Sequence, residues 1–144
     1  MSECKQQILI AAPIERVWDL VGNPARHPEW WPRVVEVRGE SFTPGDVYVQ
    51  VTRHAFGAQA TSLEIDRLED LRELSFHCRD TGMYTRWVLT SARDDTFVEA
   101  EFGMEPASLP YRLFDAATGR RYFRRWLEES LDALARRVSE APQH

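Results

Sequence analysis

The sequence predicts an α+β fold in which one curved antiparallel sheet of seven strands packs against a long C-terminal helix. Between Val34 and Met104, turn signals recur about every 11 to 13 residues and separate segments of alternating apolar and polar side chains. Such regular spacing is typical of an antiparallel meander. From about Leu109 to Val138 the apolar residues instead follow a helical spacing. A sheet with one apolar face needs a cover, and this helix would supply it.

Length and composition predict one globular domain over residues 1–144. The chain is 43% hydrophobic and 11% aromatic, which excludes a disordered protein. At this length about 68–70% of the unfolded surface is buried on folding, enough for one sizeable core. The formal net charge of −5 argues against binding to phosphate backbones, so we expect no nucleic acid partner.

The sequence also predicts a cytoplasmic location. No run approaches the roughly 18 apolar residues of a membrane span, so no stable membrane insertion is expected. The first residues lack the pattern of a secretory signal. Cys4 and Cys78 are therefore expected to be thiols in a reducing compartment rather than a disulfide.

The first predicted elements are a strand and a short amphipathic helix. Residues 5–12 alternate as a half-buried strand does, and Pro13 ends them. Proline is favoured at the start of a helix, and apolar residues then recur at helical spacing from Ile14 to Val21. The following segment, residues 23–32, holds three prolines and allows only one or two helical turns.

Six further strands are predicted between Val34 and Met104, and their period of two sorts their side chains into two faces. Polar residues occupy most alternate positions, including Gln50, as a solvated face requires. The predicted inner set is Val35, Val37, Val47, Val49, Val51, Leu63, Ile65, Leu74, Phe76, Cys78, Trp87, Leu89, Val98, Ala100, Phe102 and Met104.

Two segments carry a resemblance to a known family. The sequence AAPIERVWDLV at residues 11–21, followed by PEWWP at residues 28–32, resembles the opening of the SRPBCC or helix-grip superfamily, which includes polyketide cyclases/dehydrases and START-like lipid-transfer proteins. The resemblance implies a helix-grip fold, with one or two short helices after the first strand. It also implies a cavity between the sheet and the last helix for an apolar or aromatic small molecule.

Candidate ligand-binding residues follow from the inner face and from this resemblance. The predicted inner face contributes Trp87, whose strand parity is opposite to that of Tyr84, so one of the two faces solvent unless the strand bulges. Trp31 either walls a cavity mouth or packs in the core. The full candidate set is Trp31, Arg53, Phe76, Trp87, Phe102, Met104, Tyr111, Phe114 and Tyr122.

Arg53 has two interpretations. It continues the phase of Val47, Val49 and Val51, and a buried guanidinium would need an anionic ligand group or hydrogen-bonding partners. Alternatively the strand ends there and the side chain reaches solvent. The direction of Arg53 is thus a question for the structure.

Three functions are compatible with these features. The first is binding of an apolar or aromatic small molecule in the implied cavity. The second is an aromatase/cyclase-like enzyme acting on a polyketide, which would need no cofactor; no catalytic residues are assigned, because no known catalytic set is recognisable. The third is a quinone-binding or partner-binding interaction protein. A homodimer through strand edges or the Trp30–Trp31 pair is left open.

No metal site is predicted from the sequence. The histidines show no metal-ligand spacing along the chain, and the two cysteines form no CxxC motif.

Overall fold

The protein forms a seven-stranded antiparallel sheet with helices on one face. The computed structural model describes residues 2–54, 57–104 and 120–140. The strands are β1 (Ser2–Ile10), β2 (Val34–Arg38), β3 (Val47–His54), β4 (Gly57–Glu69), β5 (Glu73–Cys78), β6 (Met83–Ala92) and β7 (Asp95–Met104). The helices are α1 (Ile14–Val21), a 3-10 turn (Pro24–Arg26), α2 (His27–Trp30) and α3 (Arg120–Glu140). This confirms the predicted α+β class and the helix-grip architecture.

The sheet order is β1-β7-β6-β5-β4-β3-β2, with every neighbouring pair antiparallel. Strands β2 to β7 therefore form the predicted meander, because each pairs with the next along the chain. The first strand, β1, pairs antiparallel with β7, and this pairing places Ile10 opposite Thr96. Chain connectivity leaves β1 and β2 at the two edges of the sheet.

The inner face of β4 to β7 matches the predicted pattern. Leu74, Trp87, Val98 and Ala100 are fully buried, and their polar neighbours along each strand face outward. Alternation identifies the core here because each of these strands has a single run of large apolar residues on one side. The predicted thiol Cys78 is 1% exposed.

In β3 the predicted face is wrong. Tyr48 and Gln50 are 1% and 2% exposed, whereas Val47 is 43% exposed and Val49 only half-buried. Three alternating valines suit either face of a strand, since β-branched residues fit any pleated surface. The larger Tyr48 ring is the one that fills the interior, where it packs edge-on against Phe76 with ring centroids 6.1 Å apart.

The phase of β2 also differs from the prediction. Val34 is buried, but Val35 is 44% exposed, and a bulge interrupts the β2–β3 register between Val34 and Glu36. A bulge adds one residue to one strand and so shifts the face of every later side chain. Val37 then packs against the core, as predicted.

Helix α3 lies across the inner face and contacts β1 and β7. Trp126, Leu127, Leu131, Leu134 and Val138 form its buried stripe. The first part of the predicted helix, residues 109–119, lies outside the described residues. Among the helices that the structure describes, none is long and apolar enough to cross a membrane.

Candidate ligand-binding site

The space between the sheet and α3 is occupied by a cluster of aromatic rings centred on Trp31. The ring of Trp31 stacks on Trp126 and lies near five other rings, with centroid separations between 5.1 and 6.1 Å. Offset and edge-on arrangements at such distances are the favoured geometries of aromatic pairs. We call this set the aromatic cluster: Trp30, Trp31, Tyr48, Phe76, Trp87, Phe102 and Trp126.

The connector before β2 places two tryptophans inside the protein. Trp30 ends α2 and donates a hydrogen bond from its indole Nε1 to the carbonyl of Leu20, at 3.0 Å. Trp31 follows with an extended backbone, and its ring lies nearly parallel to that of Trp30. Both are therefore part of the core, which decides between the two interpretations of Trp31 in favour of packing.

Helix α3 is attached to this connector by hydrogen bonds. The indole Nε1 of Trp31 donates to Ser130 Oγ at 2.8 Å, and the Ser130 hydroxyl donates to the carbonyl of Trp126. Trp126 Nε1 in turn donates to the carbonyl of Pro32 at 2.8 Å. These bonds fix the position of two cluster rings relative to each other.

Among the described residues, four polar atoms in or beside the cluster are buried without a hydrogen-bond partner: His27 Nδ1, the Tyr48 hydroxyl, Gln50 Oε1 and Trp87 Nε1. The rings of His27 and Tyr48 both pack against Phe76, and the ring of Trp87 packs against Trp31. Gln50 lies two residues from Tyr48 on the same face of β3. Buried polar groups are normally hydrogen-bonded, so these four exceptions around one cluster make this region the candidate binding site.

Burial also determines the protonation of two of these groups. It lowers the pKa of His27 from 6.5 to about 4, although the hydrogen bond of Nε2 to the Val21 carbonyl partly opposes this shift. Because a carbonyl only accepts, Nε2 carries the proton and Nδ1 presents a lone pair. Burial likewise raises the pKa of the Tyr48 hydroxyl far above its usual range. At neutral pH both side chains are uncharged.

Four of the candidate residues from the sequence meet in the aromatic cluster: Trp31, Phe76, Trp87 and Phe102, all 2% exposed or less. Arg53 does not join them. It is exposed on the outer face of β3, in phase with Val47, and pairs in register with Ala58. An inward direction of Arg53 required the valines of β3 to face the core, because Arg53 is on the same side of the strand. Tyr48 and Gln50 face the core instead, so Arg53 points outward.

The remaining candidates cannot be placed among these side chains. Tyr111 and Phe114 lie outside the described residues. Met104 ends β7 and Tyr122 lies in α3, but the side chains of both are outside the described part of the chain.

Sequence analysis missed several members of the site: His27, Trp30, Tyr48, Gln50 and Trp126. The spacing of His27, Trp30 and Trp31 at i, i+3 and i+4 was a usable signal, because it places all three on one side of a helical turn. Gln50 was assigned to the solvated face from its polarity alone. Gln50 is buried because it lies on the same face of β3 as Tyr48. The sequence pattern had assigned that face to solvent and the valine face to the core.

The sequence matches a family model described as polyketide cyclase/dehydrase and lipid transport over residues 1–139. No curated protein shows significant sequence similarity to the chain.

Solved structures with similar folds cover nearly the whole chain. The protein XoxI from Bacillus cereus has 15% sequence identity and a TM-score of 0.76, with 100% of each chain covered. A START superfamily protein from Mycobacterium smegmatis has 14% identity and a TM-score of 0.76, covering 97% of this chain and 99% of its own. The di-domain ARO/CYC BexL of the BE-7585A biosynthetic pathway has 20% identity and a TM-score of 0.70, and the match covers 98% of this chain and 50% of BexL. At these identities the likeness shows the fold.

Proposed function

Since the chain belongs to the polyketide cyclase/dehydrase and lipid transport family, we propose that it binds an aromatic small molecule with polar substituents between the sheet and α3. The observation that supports this proposal best is the group of four unpartnered polar atoms around the aromatic cluster. Leaving a buried donor or acceptor unpaired costs about 1–3 kcal/mol. A ligand that pairs with them would recover much of that cost.

The chemistry of the four atoms specifies the ligand. Trp87 Nε1 can only donate, Gln50 Oε1 and His27 Nδ1 only accept, and the Tyr48 hydroxyl does either. A ligand that satisfies them carries both carbonyl or ether oxygens and hydroxyl groups. The surrounding rings would bind its apolar faces by stacking. A hydroxylated or keto-substituted aromatic compound has this combination.

Access requires movement of side chains. The four polar atoms have almost no contact with solvent, and the cluster rings touch one another. A ligand therefore reaches them by displacing one or more rings, which makes binding slower than diffusion. Arg53 has no role in this proposal, because it lies on the other face of the sheet.

An aromatase/cyclase-like activity is the second candidate, favoured by the structural similarity to BexL, described as an ARO/CYC di-domain. Cyclisation of a poly-β-ketone needs the chain to be held in one conformation and its enolate oxygen to be stabilised. The Tyr48 hydroxyl and Trp87 Nε1 are buried donors suited to such an oxygen, and neutral His27 offers an acceptor for a proton. Only turnover separates this candidate from simple binding.

The test compares two tyrosine variants that lose the same hydroxyl on opposite faces of the sheet. Tyr48→Phe removes the unpartnered interior hydroxyl, and Tyr84→Phe removes an outer hydroxyl that donates to Glu101 at 3.0 Å. We would titrate each protein with 2-naphthol and with naphthalene and follow tryptophan fluorescence. A hydrogen bond worth about 1.4 kcal/mol corresponds to a tenfold loss of affinity.

We expect Tyr48→Phe to weaken 2-naphthol binding about tenfold while naphthalene binding is unchanged. Folding stability should stay equal or rise, since the lost hydroxyl is buried without a protein partner. Tyr84→Phe should bind both probes like the wild type. Equal affinities of both variants for 2-naphthol would overturn the interior site. If the expected difference is found, mass spectrometry of compounds released from the natively purified protein would identify the physiological ligand class.

A further inference from the structure

A second group of polar side chains lies on the outer face of the sheet, opposite the aromatic cluster. Glu64 and Asp66 are two residues apart on β4 and point the same way, and His77 of β5 is directly opposite Glu64 in register. His77 Nδ1 lies 2.9 Å from Asp66 Oδ1 and 3.0 Å from Asp66 Oδ2. One ligand atom from each of the three residues lies within 4.8 Å of the other two.

Two of these residues, Asp66 and His77, line a groove of about 460 Å³. Its lining includes Asp66, His77, Gly82, Tyr84 and Arg86. The groove leaves room beside the three side chains for water or a small ligand. Phe76, a member of the aromatic cluster, also contributes to the lining of this groove.

We propose that Glu64, Asp66 and His77 bind a divalent transition-metal ion, with Zn²⁺ as the best match. Imidazole nitrogen and carboxylate oxygen are both ligands that Zn²⁺ accepts, whereas Ca²⁺ and Mg²⁺ take oxygen ligands. Three protein ligands leave a fourth coordination position for water or a ligand, as in open zinc sites. The adjoining groove is where that position would lie.

The geometry needs only side-chain rotation to accommodate the ion. Tetrahedral Zn²⁺ with bonds near 2.1 Å holds its ligands about 3.4 Å apart. The 2.9 Å contact between His77 and Asp66 is already in this range, and the carboxylate of Glu64 closes the remaining distance by rotating. When the ion binds Nδ1, the proton of the neutral imidazole moves to Nε2.

Two existing interactions compete with the ion. The ion replaces the hydrogen bond between His77 Nδ1 and Asp66, and it also competes with an ion pair of Glu64. Arg79 Nε lies 3.8 Å from Glu64 Oε1, but the Arg79 side chain is 58% exposed. Exposed ion pairs contribute little free energy, about 0–1 kcal/mol. The metal therefore displaces Arg79 from Glu64 at small cost. Arg86 also lines the groove, but its guanidinium is already paired with Glu73, at 2.9 Å.

The experiment measures Zn²⁺ binding by competition with a chromophoric chelator, using the full chain. His77→Ala and Asp66→Asn each remove one proposed ligand. His54→Gln is the histidine control, and Glu99→Gln is a carboxylate control on the outer face of β7. Near-ultraviolet circular dichroism of every variant reports whether the tryptophan core is intact.

We expect one Zn²⁺ per wild-type chain, and at least about a tenfold loss of affinity in His77→Ala and in Asp66→Asn, since even residues that only orient metal ligands contribute 10–100-fold. Both controls should bind Zn²⁺ like the wild type. No stoichiometric binding to the wild type, or undiminished binding by a folded Asp66→Asn variant, would overturn the proposal. If His77→Ala does not fold, the conservative Asp66→Asn variant decides.

Discussion

His27 occupies the most unusual environment of any titratable side chain among the described residues. It is fully buried against the rings of Trp30, Trp31 and Phe76, and only its Nε2 is hydrogen-bonded. Charging this imidazole would place a cation among aromatic edges with no anionic partner. Its pKa of about 4 reflects that cost.

The depressed pKa of His27 predicts a loss of stability in acid. The unfolded chain protonates this histidine near pH 6.5, but the folded protein does so only near pH 4. The contribution of His27 to stability therefore falls as pH drops through this window and changes no further below it. At 1.36 kcal/mol per unit, lowering the pH from about 7 to about 4.5 costs on the order of 2 kcal/mol from this residue.

Urea unfolding of the wild type and of His27→Gln at these two pH values checks the prediction. Glutamine does not titrate, so the variant should lose less stability on acidification than the wild type by that amount. Identical losses in the two proteins would show that His27 is not responsible for the acid sensitivity.

At the scale of elements, the attachment of α3 depends on Ser130. This serine is fully buried and accepts the hydrogen bond of Trp31 Nε1 while donating to the Trp126 carbonyl. Ion pairs at the helix surface, Arg33 with Glu129 and Arg137 with Glu29, are partly exposed and contribute less. The Ser130 hydroxyl thus adds a buried hydrogen bond to the contacts that Trp126 makes between α3 and the aromatic cluster.

Ser130→Ala is expected to destabilise the protein by about 1–3 kcal/mol, because Trp31 Nε1 is then buried without an acceptor. Ser139→Ala is the matched control. The Ser139 hydroxyl is exposed and donates only to the Arg136 carbonyl of the same helix, so we expect a change of about 0.5 kcal/mol or less. Urea unfolding measures both, and equal effects would contradict the proposed role of Ser130.

The strands differ in how well the sequence predicted them. β5 and β6 were assigned correctly because their largest apolar residues, among them Phe76, Trp87 and Leu89, share one face of each strand. β3 carries valines on one side and Tyr48, Gln50 and Thr52 on the other, so hydrophobicity favoured the wrong face. Packing of the Tyr48 ring against Phe76, a residue distant in sequence, decided the outcome.

At the scale of the whole molecule, stability is expected to be uneven across the sheet. β6 pairs along its whole length with β7 and is joined to β5 on its other side. β2 is a five-residue edge strand with a bulge and has only β3 as a partner. β1 is also an edge strand, but α3 packs against it.

Native-state hydrogen exchange should therefore be slowest in β6 and the adjoining part of β7, and at least about tenfold faster in β2, since exchange follows the free energy of local opening. Exchange detected by nuclear magnetic resonance gives this comparison residue by residue. Equal protection of β2 and β6 would mean that the sheet opens only by global unfolding.

Sequence patterns correctly predicted the order of strands and helices and the antiparallel meander. They also indicated the family and four aromatic residues of the interior. These properties follow from local periodicity and from short motifs, which depend on neighbours along the chain. The tertiary structure alone decided that Tyr48 and Gln50 face inward, that Arg53 faces outward, and that His77 meets Glu64 and Asp66. Those outcomes depend on strand register and ring packing between residues far apart in sequence, where spacing along the chain carries no information.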